Sequence, residues 1–537
     1  MMITGVFQTQ TLRHIFTLRK LGWEKRVRAV LGMYASVAIA LQAQFPSVSF
    51  DGTDGANPTA GLVQATSGDF YGTTYSGGAS GNGTVFRITP GGKLTTLYSF
   101  CYLSGCADGA APSAGLIQGT DGDLYGTTSE GGIGGYGTIF KIILSGGKLT
   151  TLHTFEGTDG STPRAGLVQA ANGDFYGTTF AGGRHGEGTI FKINPGGTHF
   201  ETLYNFCSEQ GCADGAGPVG GLIQAADGDL YGTTEYGGVY DNDTCLPQAP
   251  GCGTVFKIAP GGTSPRVVYS FCAQSSADAP CTDGSDPVGG LVQATNLDFY
   301  GTTYSGGAVS LGGTCYGGCG TVFQITPAKP YTLTTLYTFC SLNDCADGGG
   351  PEQTLDQGTD GTLYGTTTIG GSGAAGRGAT VFGIGTNGGS LTFLYGFCQD
   401  YPACPDGWEP GFEGGLMQAT NGNFYGTTTG GANSSCGDPW GGTGCGTVFR
   451  FSIPGVGPFV EPQTTSGEVG AAVKILGGDL TGATSVTFNG TAAVFTVNAS
   501  GSAITTTVPA GAASGPVQVV TASGSTLSSN VPFTVLP

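Results

Sequence analysis

The feature that most restricts how this chain can fold is an internal period. The tetrapeptide Tyr-Gly-Thr-Thr occurs seven times, beginning at Tyr71, Tyr125, Tyr176, Tyr231, Tyr300, Tyr364 and Tyr425. A second signature, Asp-Gly-x-x-Pro, also occurs seven times, from Asp54, Asp108, Asp159, Asp214, Asp283, Asp347 and Asp406, 17 residues before the tyrosine in six repeats and 19 in the seventh. Such a period marks a supersecondary unit that buries its apolar face only against copies of itself. In the first repeat, apolar and β-branched runs separated by turn residues predict four strands, at 61–65, 70–75, 84–88 and 94–100. Four antiparallel strands in a repeat of roughly 50 residues describe a propeller blade, so the repeats predict a seven-bladed β-propeller over residues 44–454. Composition agrees: 103 of 537 residues are Gly, without the triplet period of collagen, which fits many tight turns.

The ring's closure is predicted from an omission. Six repeats end in a fourth strand, whereas the seventh stops after Thr447-Val448-Phe449-Arg450-Phe451. The segment Ser49-Phe50-Asp51-Gly52-Thr53-Asp54-Gly55 parallels Thr154-Phe155-Glu156-Gly157-Thr158-Asp159-Gly160, which follows the fourth strand of repeat two. A strand near Ser47 to Phe50 is therefore expected to pair with Val448 to Phe451 and complete the last blade, removing an exposed edge.

Residues 1–43 differ in composition from the rest of the chain. Lys25, Arg26 and Arg28 precede an apolar run from Ala29 to Ala40, a pattern expected of a secretory signal peptide cleaved near Ala43, or of an uncleaved anchor. The run is short for a membrane span, and no transmembrane segment is expected in the mature chain. That leader holds six of the 19 basic residues and one of the 37 acidic ones, so the mature protein is strongly acidic, which argues against a nucleic-acid partner. The 16 cysteines fall into eight close pairs: Cys101 with Cys106, Cys207 with Cys212, Cys245 with Cys252, Cys272 with Cys281, Cys315 with Cys319, Cys340 with Cys345, Cys398 with Cys404, and Cys436 with Cys445. Local disulfides in an oxidising compartment are expected. With three histidines after the leader, His153, His185 and His199, and no regular Cys-x-x-Cys, neither a zinc site nor any cofactor is expected.

The iterated blocks Gly-Leu-Val-Gln-Ala, Asp-Phe-Tyr-Gly-Thr-Thr, Gly-Thr-Val-Phe-Lys-Ile and Leu-Tyr-Ser-Phe, recurring in order over about residues 46–454, resemble the GloVer (Gloeo/Verruco) tandem repeats of exported bacterial proteins. That resemblance implies a secreted or cell-surface location and carries no defined activity. After the Pro/Gly linker at 454–458 the composition changes. Ser466-Gly467-Glu468-Val469-Gly470, Val473-Lys474-Ile475, Ser485-Val486-Thr487-Phe488, Ile504-Thr505-Thr506-Thr507-Val508-Pro509 and Phe533-Thr534-Val535 resemble an IPT/TIG immunoglobulin-like domain. It implies a small β-sandwich over 455–537, a spacer or interaction module.

In a blade with strands A to D from the axis outward, D-to-A and B-to-C connections share one face. The length variation and all eight cysteine pairs fall there, so that face is expected to carry a binding site on a repetitive scaffold. The Asp of Asp-Gly-x-x-Pro brings one carboxylate without a Ca²⁺ ligand set and is read as a turn cap. Asp121-Gly122-Asp123 and Asp227-Gly228-Asp229 are read as hairpin turns. No His-Glu-x-x-His, nucleophile elbow or phosphate loop is present, and no catalytic residue is assigned. Both tryptophans after the leader, Trp408 and Trp440, fall in loops of blade seven. With Tyr401 and Tyr75 they offer flat faces for sugar rings, and Asp438 and Glu409 offer acceptors for hydroxyls. Alternatively the Trp rings pack their own loops. The expected function is non-catalytic binding or surface adhesion, the partner a glycan or a surface protein. The alternative is a carbohydrate-active enzyme, a glycosidase or lyase, using paired carboxylates such as Glu409 and Asp438.

Overall fold

The protein is described by a computed structural model over residues 44–536, apart from 241–250, 275–280, 308–314, 316–317, 372–377, 399–403, 412–414, 434–435 and 437–443. The chain is all-β, and its repeats form seven sheets. In the first, strands A to D are Val63–Gln64, Phe70–Thr74, Thr84–Ile88 and Leu94–Ser99, antiparallel and in that order. Five further sheets repeat the order. In the seventh, strands A to C are Met417–Gln418, Phe424–Gly430 and Thr447–Phe451, and the outer strand is Gln44–Ser49 from the N-terminal side. Val48 pairs with Val448 and Ser49 with Thr447. Phe50 then enters the core between the first and last sheets, fully buried, its ring 5.1 Å from Phe86.

Each residue of the repeated tetrapeptide has a distinct task. The Tyr ring packs on the Phe or Leu that opens strand B of the next blade, as in Tyr125 with Phe175 at 4.1 Å and, across the seam, Tyr425 with Phe70 at 4.3 Å. The Gly leaves room for the core: a Cβ on Gly72 would fall 2.6 Å from the Phe86 ring and 2.8 Å from Leu62. The first Thr reaches the next blade, Thr73 donating to the Ala114 carbonyl at 3.0 Å and Thr427 to that of Ala60 at 2.9 Å. The second Thr stays within its own blade, its hydroxyl 2.8 Å from that of the first Thr in strand C, as in Thr74 with Thr84.

A second set of bonds joins every blade to its neighbour. The Gln that ends strand A accepts, through its side-chain carbonyl, a backbone N–H from the A-to-B turn of the preceding blade. Thr66 donates to Gln118, Thr120 to Gln169, Ala171 to Gln224, Ala226 to Gln293, Thr295 to Gln357, Thr359 to Gln418 and Thr420 to Gln64, all at 2.8–3.0 Å. The last of these bonds runs from blade seven back to blade one, so the seven sheets form a closed ring, a β-propeller.

Strand A is shorter than expected, two residues rather than the five of 61–65. The cause is crowding at the axis. A Cβ on Gly166 would fall 3.2 Å from the Gly115 carbonyl, and one on Gly220 would fall 2.8 Å from that of Gly289. Neighbouring backbones meet there, and the residues before strand A pack against adjacent blades as well as against their own strand B.

The C-terminal segment is a two-sheet sandwich. One sheet joins Val460–Pro462, Ala472–Gly477, Ala503–Thr507 and Phe495–Val497, and the other joins Thr491–Ala492, Ser485–Phe488, Val517–Val520 and Thr526–Ser528. Val460, Ile475, Ile504, Val517 and Val519 fill the space between them. This domain is docked on the A-to-B turn face of the ring. Ser502 donates to the Thr66 carbonyl at 2.5 Å, Lys474 to that of Thr120 at 2.8 Å, Gln463 to the Gln118 side chain at 2.9 Å and Asn530 to the Gln418 side chain at 3.2 Å. The Phe459 N–H reaches the Thr420 carbonyl at 3.1 Å. Asn530 also donates to the Gln357 carbonyl of blade six at 3.3 Å, so the contacts span blades one, two, six and seven, across the seam.

Deleting residues 44–52 is expected to lower the thermal midpoint markedly, and Phe50→Ala alone to cost about 3 kcal/mol, the range for a large core ring. An unchanged calorimetric melting curve for the deletion would contradict the clasp.

Candidate functional site

The loop-rich face lies opposite the docked domain. Its D-to-A connections carry the disulfides Cys101–Cys106, Cys207–Cys212, Cys272–Cys281, Cys340–Cys345 and Cys398–Cys404, and its B-to-C loops carry Cys315–Cys319 and Cys436–Cys445. Cys252 is disulfide-bonded too, and Cys245 lies outside the described residues. Where bridges of adjacent loops meet, Cys252, Cys272 and Cys281 come together, as do Cys315, Cys319 and Cys340. Each of these sulfurs is already in a disulfide, so neither group offers thiolates to a metal.

The Asp of Asp-Gly-x-x-Pro is a turn cap. Asp108 accepts from the N–H groups of Tyr102 and Leu103 and from the Tyr98 hydroxyl at 2.8 Å. Asp214, Asp283 and Asp347 repeat this with Tyr204, Tyr269 and Tyr337. His153 takes the Tyr position in repeat two, stacked on Phe200 at 3.6 Å and 2.8 Å from Asp159. The two Asp-Gly-Asp runs are hairpin turns. Asp123 and Asp229 each donate a backbone N–H to the Asp two residues before, and Lys141 and Lys257 bridge the paired carboxylates.

The residue before the Pro of the motif turns the backbone at the ring's inner rim. All seven such positions are left-handed: Asn57, Ala111, Thr162, Gly217, Asp286, Gly350 and Glu409, with φ between 51° and 59°. Two of the seven are acids, although this conformation favours Gly and Asn. The residue after the Pro is Arg164 in one repeat and Glu352 in another, and the residue after Tyr-Gly-Thr-Thr is Tyr75, Phe180, Glu235 or Tyr304 in four. The rim thus gathers Glu235, Asp286, Glu352 and Glu409 around the axis with the rings of Tyr236 and Tyr304. Arg164 faces Glu235 and Tyr236 and rests on the Phe180 ring at 3.9 Å.

Burial dominates the electrostatics. Asp286 is 1% exposed, both its oxygens lack a hydrogen-bond partner, and burial pushes its carboxyl up to about 7, with Glu235 adding to the rise. Ser285 and Ser305 lie beside it outside hydrogen-bonding geometry. Glu352 is raised well above the ordinary range by burial and then by the charges of Glu409 and Glu235, and its buried Oε2 has no partner. Burial also raises Glu235 and Tyr304, the latter helped by Glu352, Asp286 and Glu409.

Below the rim lies an axial cavity of 410 Å³, floored by the C-terminal domain through Phe459, Glu461 and Pro462 and reached by Glu352 and Asp356. Asp356 accepts the Gln418 N–H at 2.5 Å. Burial pushes Asp356 and Glu461 up to about 7, and the Asp356 charge adds to the rise at Glu461. Glu461 itself is exposed where it lines the cavity, between the buried Val460 and Pro462.

Of the residues singled out from sequence, Trp408, Glu409 and Tyr75 are described, while Tyr401, Asp438 and Trp440 lie outside the described residues. Trp408 belongs to a short strand, Trp408–Pro410, paired with strand B of blade seven, and its ring covers Gly430, where a Cβ would fall 2.6 Å from the indole Cε2. It packs its own blade. Glu409 and Tyr75 meet at the seam: Thr429 donates to the Glu409 carbonyl at 3.0 Å, Asn57 to the Thr429 carbonyl at 2.9 Å, and the Tyr75 N–H to the Asn57 carbonyl at 2.9 Å. Sequence patterns alone did not single out Asp286, Glu352 and Glu235. Aligning the seven repeats on their Pro and their second Thr would have brought these acids into the same columns as Glu409, Arg164 and Tyr75.

A closed ring of four-stranded sheets with an immunoglobulin-like domain over one face defines the class: an all-β repeat protein with an attached sandwich. The Gloeobacter/Verrucomicrobia repeat model matches residues 37–246 and 212–437, and the chain belongs to that family. The IPT/TIG model matches residues 459–535. No curated protein sequence matches the chain. Among solved structures, a fungal alcohol oxidase of the AA5 family, in complex with copper, is similar at 13% identity over 91% of this chain and 98% of that one, with a TM-score of 0.50. A putative 6-phosphogluconolactonase from Bacteroides uniformis is similar at 15% identity, over 67% and 88%, with a TM-score of 0.41. At these identities the likeness is one of fold.

Each disulfide closes a short loop, for which chain entropy gives about 2 kcal/mol, and peptide mapping without reductant is expected to return only local pairs. The Asp356 and Glu461 carboxyls predict a pH dependence. Their folded pKa values lie above the unfolded ones, so the folded state binds more protons between the two values and stability falls as pH rises. Both groups should make the full chain less stable from about pH 4 to about pH 7, with no further loss above that. The D356N/E461Q variant should melt at a less pH-dependent temperature, and an unaltered profile would contradict the assignment.

Proposed function

We propose that this protein is an exported bacterial binding protein, secreted or held at the cell surface, that takes a glycan at the axial mouth of its loop-rich face. The observation that carries this reading is the asymmetry of the ring. One face is covered by the C-terminal domain, and the other presents disulfide-stapled loops around a mouth of acids and tyrosines. The disulfides fit an extracellular protein, and no helix among the described residues is long and apolar enough to cross a membrane. The half-exposed rings of Tyr75 and Tyr304 supply faces on which sugars stack, and the rim carboxyls accept hydroxyl hydrogen bonds.

One observation favours a second reading, a carbohydrate-active enzyme. Asp286 and Glu352 have the raised pKa values expected of a general acid, near other carboxyls. Binding is preferred because a side chain 1% exposed, as Asp286 is, does not reach a glycosidic oxygen without rearrangement of the rim.

A glycan-array screen of the secreted protein, followed by titration of the best hit, tests both readings. The Y75A/Y304A variant is expected to bind at least about tenfold more weakly, a loss of about 1.4 kcal/mol, with an unchanged melting temperature. Trp408→Ala is expected to lower stability and leave binding intact. New reducing ends in the incubated glycan would instead establish the enzyme, and an array without hits would end the glycan reading.

A further inference from the structure

Between the ring and the C-terminal domain, three carboxyls line one cavity that offers them no positive charge. Glu352 and Asp356 come from the ring and Glu461 from the sandwich, and among the described residues no Lys, Arg or His lines the same 410 Å³. Glu352 is 9% exposed, and its buried Oε2 has no hydrogen-bond partner. The Glu461 side chain is exposed where it lines the cavity and makes no hydrogen bond or ion pair with the described residues. Asp356 accepts the Gln418 N–H through one oxygen. Carboxyls held this way are costly to ionise unless a cation joins them.

The walls decide the kind of cation. Leu62, Leu116, Leu355, Leu416 and Phe459 line the same cavity, so much of its surface is apolar. A calcium ion takes six to eight oxygen ligands, and among the described residues the only groups of three ligand atoms close enough to share an ion are cysteine sulfurs. Carboxyls that share a cavity without converging on one point suit separate charges on one molecule. An alkyl polyamine carries such charges. Each of its ammonium groups presents N–H donors to one carboxylate, and the methylenes between them lie on apolar side chains as lysine stems do. The volume falls within the range of small-molecule sites, about 300–1,000 Å³, which occur preferentially between domains.

The cavity also has a way in. The sandwich's docking hydrogen bonds fall on blades one, two, six and seven, and over blades four and five a second hollow of 300 Å³ lies between Leu291 and Leu297 of the ring and Val531 and Pro532 of the sandwich. It shares Val292, Thr354, Leu355, Thr465 and Val531 with the axial cavity, so the two adjoin. Leu297 is 44% and Val531 36% exposed, which opens the hollow to solvent. We propose that the cavity between ring and sandwich binds an alkyl polyamine, its separate ammonium groups each meeting one of Glu352, Asp356 and Glu461 and its methylenes lying along Leu355, Leu416 and Phe459. This site is distinct from the glycan mouth on the opposite face. The titratable groups that face it are Glu352, Asp356 and Glu461, and Glu235 and Glu409 act on Glu352 from the rim. A cation favours the ionised carboxylates, so binding displaces protons and weakens on acidification.

The test is calorimetric titration of the full chain with spermidine, butylamine and calcium at about pH 5 and about pH 8. Spermidine is expected to bind at least about tenfold more tightly than butylamine at about pH 8 and to weaken at about pH 5. D356N/E461Q and Glu352→Gln are each expected to weaken spermidine about tenfold while keeping or raising the melting temperature at about pH 8. Glu468→Gln, which removes an exposed acid of the sandwich, is expected to leave binding unchanged and so separates the cavity from general surface charge. Equal weakening by Glu468→Gln, equal binding of spermidine and butylamine, or no binding of spermidine would overturn the proposal. Calcium that binds in place of spermidine, with the same response to D356N/E461Q, would overturn it in favour of a metal. The glycan array bears on the mouth alone, so either reading can fail without the other.

Discussion

The architecture rests on one repeated hydrogen bond, from the backbone N–H of an A-to-B turn to the side-chain carbonyl of the Gln in the next blade. Sheets that only stacked through apolar rings would slide, because dispersion and burial have little directional preference. The glutamines fix the height of each blade against its neighbour at the innermost turn, and the first Thr of each Tyr-Gly-Thr-Thr adds a second directional contact in most blades. Because the Thr420 to Gln64 bond has the same geometry as the others, the seam imposes no local exception on the ring. The number of blades is then whatever lets that bond recur without strain, and here it recurs seven times.

The same girdle determines which end of the ring is free. Gln118 and Gln418 serve twice, accepting a bond within the ring and another from Gln463 or Asn530 of the C-terminal domain. The domain docks on a surface that every repeat provides, which leaves its long, variable loops on the far side. Function and variation are thereby segregated from the elements that hold the ring together. The lining of the axial cavity includes Glu352 from the ring and Phe459, Glu461 and Pro462 from the sandwich.

The ring was legible in the sequence because each blade is nearly the same sentence. The Tyr-Gly-Thr-Thr spacing located strand B, and the missing partner of Thr447–Phe451 pointed to the N-terminal strand. The turn role of Asp108 and its equivalents followed from the residue types alone. The candidate site was less legible, for two physical reasons. Trp408 drew notice as a large ring in a loop, but its surroundings, above all the bare Gly430 beneath it, belong to tertiary packing that no loop composition reports. Asp286 and Glu352 are ordinary acids in the sequence. Their chemistry comes from enclosure at the axis, which appears only when seven repeats are superposed in space. The two-residue length of strand A was misread for the same reason, since the crowding of Gly115 against Gly166 arises between blades.

The outer strand of the last blade is the first part of the ring to be synthesised. Ser49 and Thr447 lie side by side in the ring but at opposite ends of the repeat array. Every other blade can pair its strands from local sequence, so the array grows as a series of short-range steps with one long-range step reserved for the end. Until that step the growing arc presents two open edges, the form of β-structure most prone to pair with other chains. The sandwich emerges after the seventh repeat and touches blades on both sides of the seam. In the order of biogenesis it arrives as a latch, and a chain truncated before it would have to close its ring unaided.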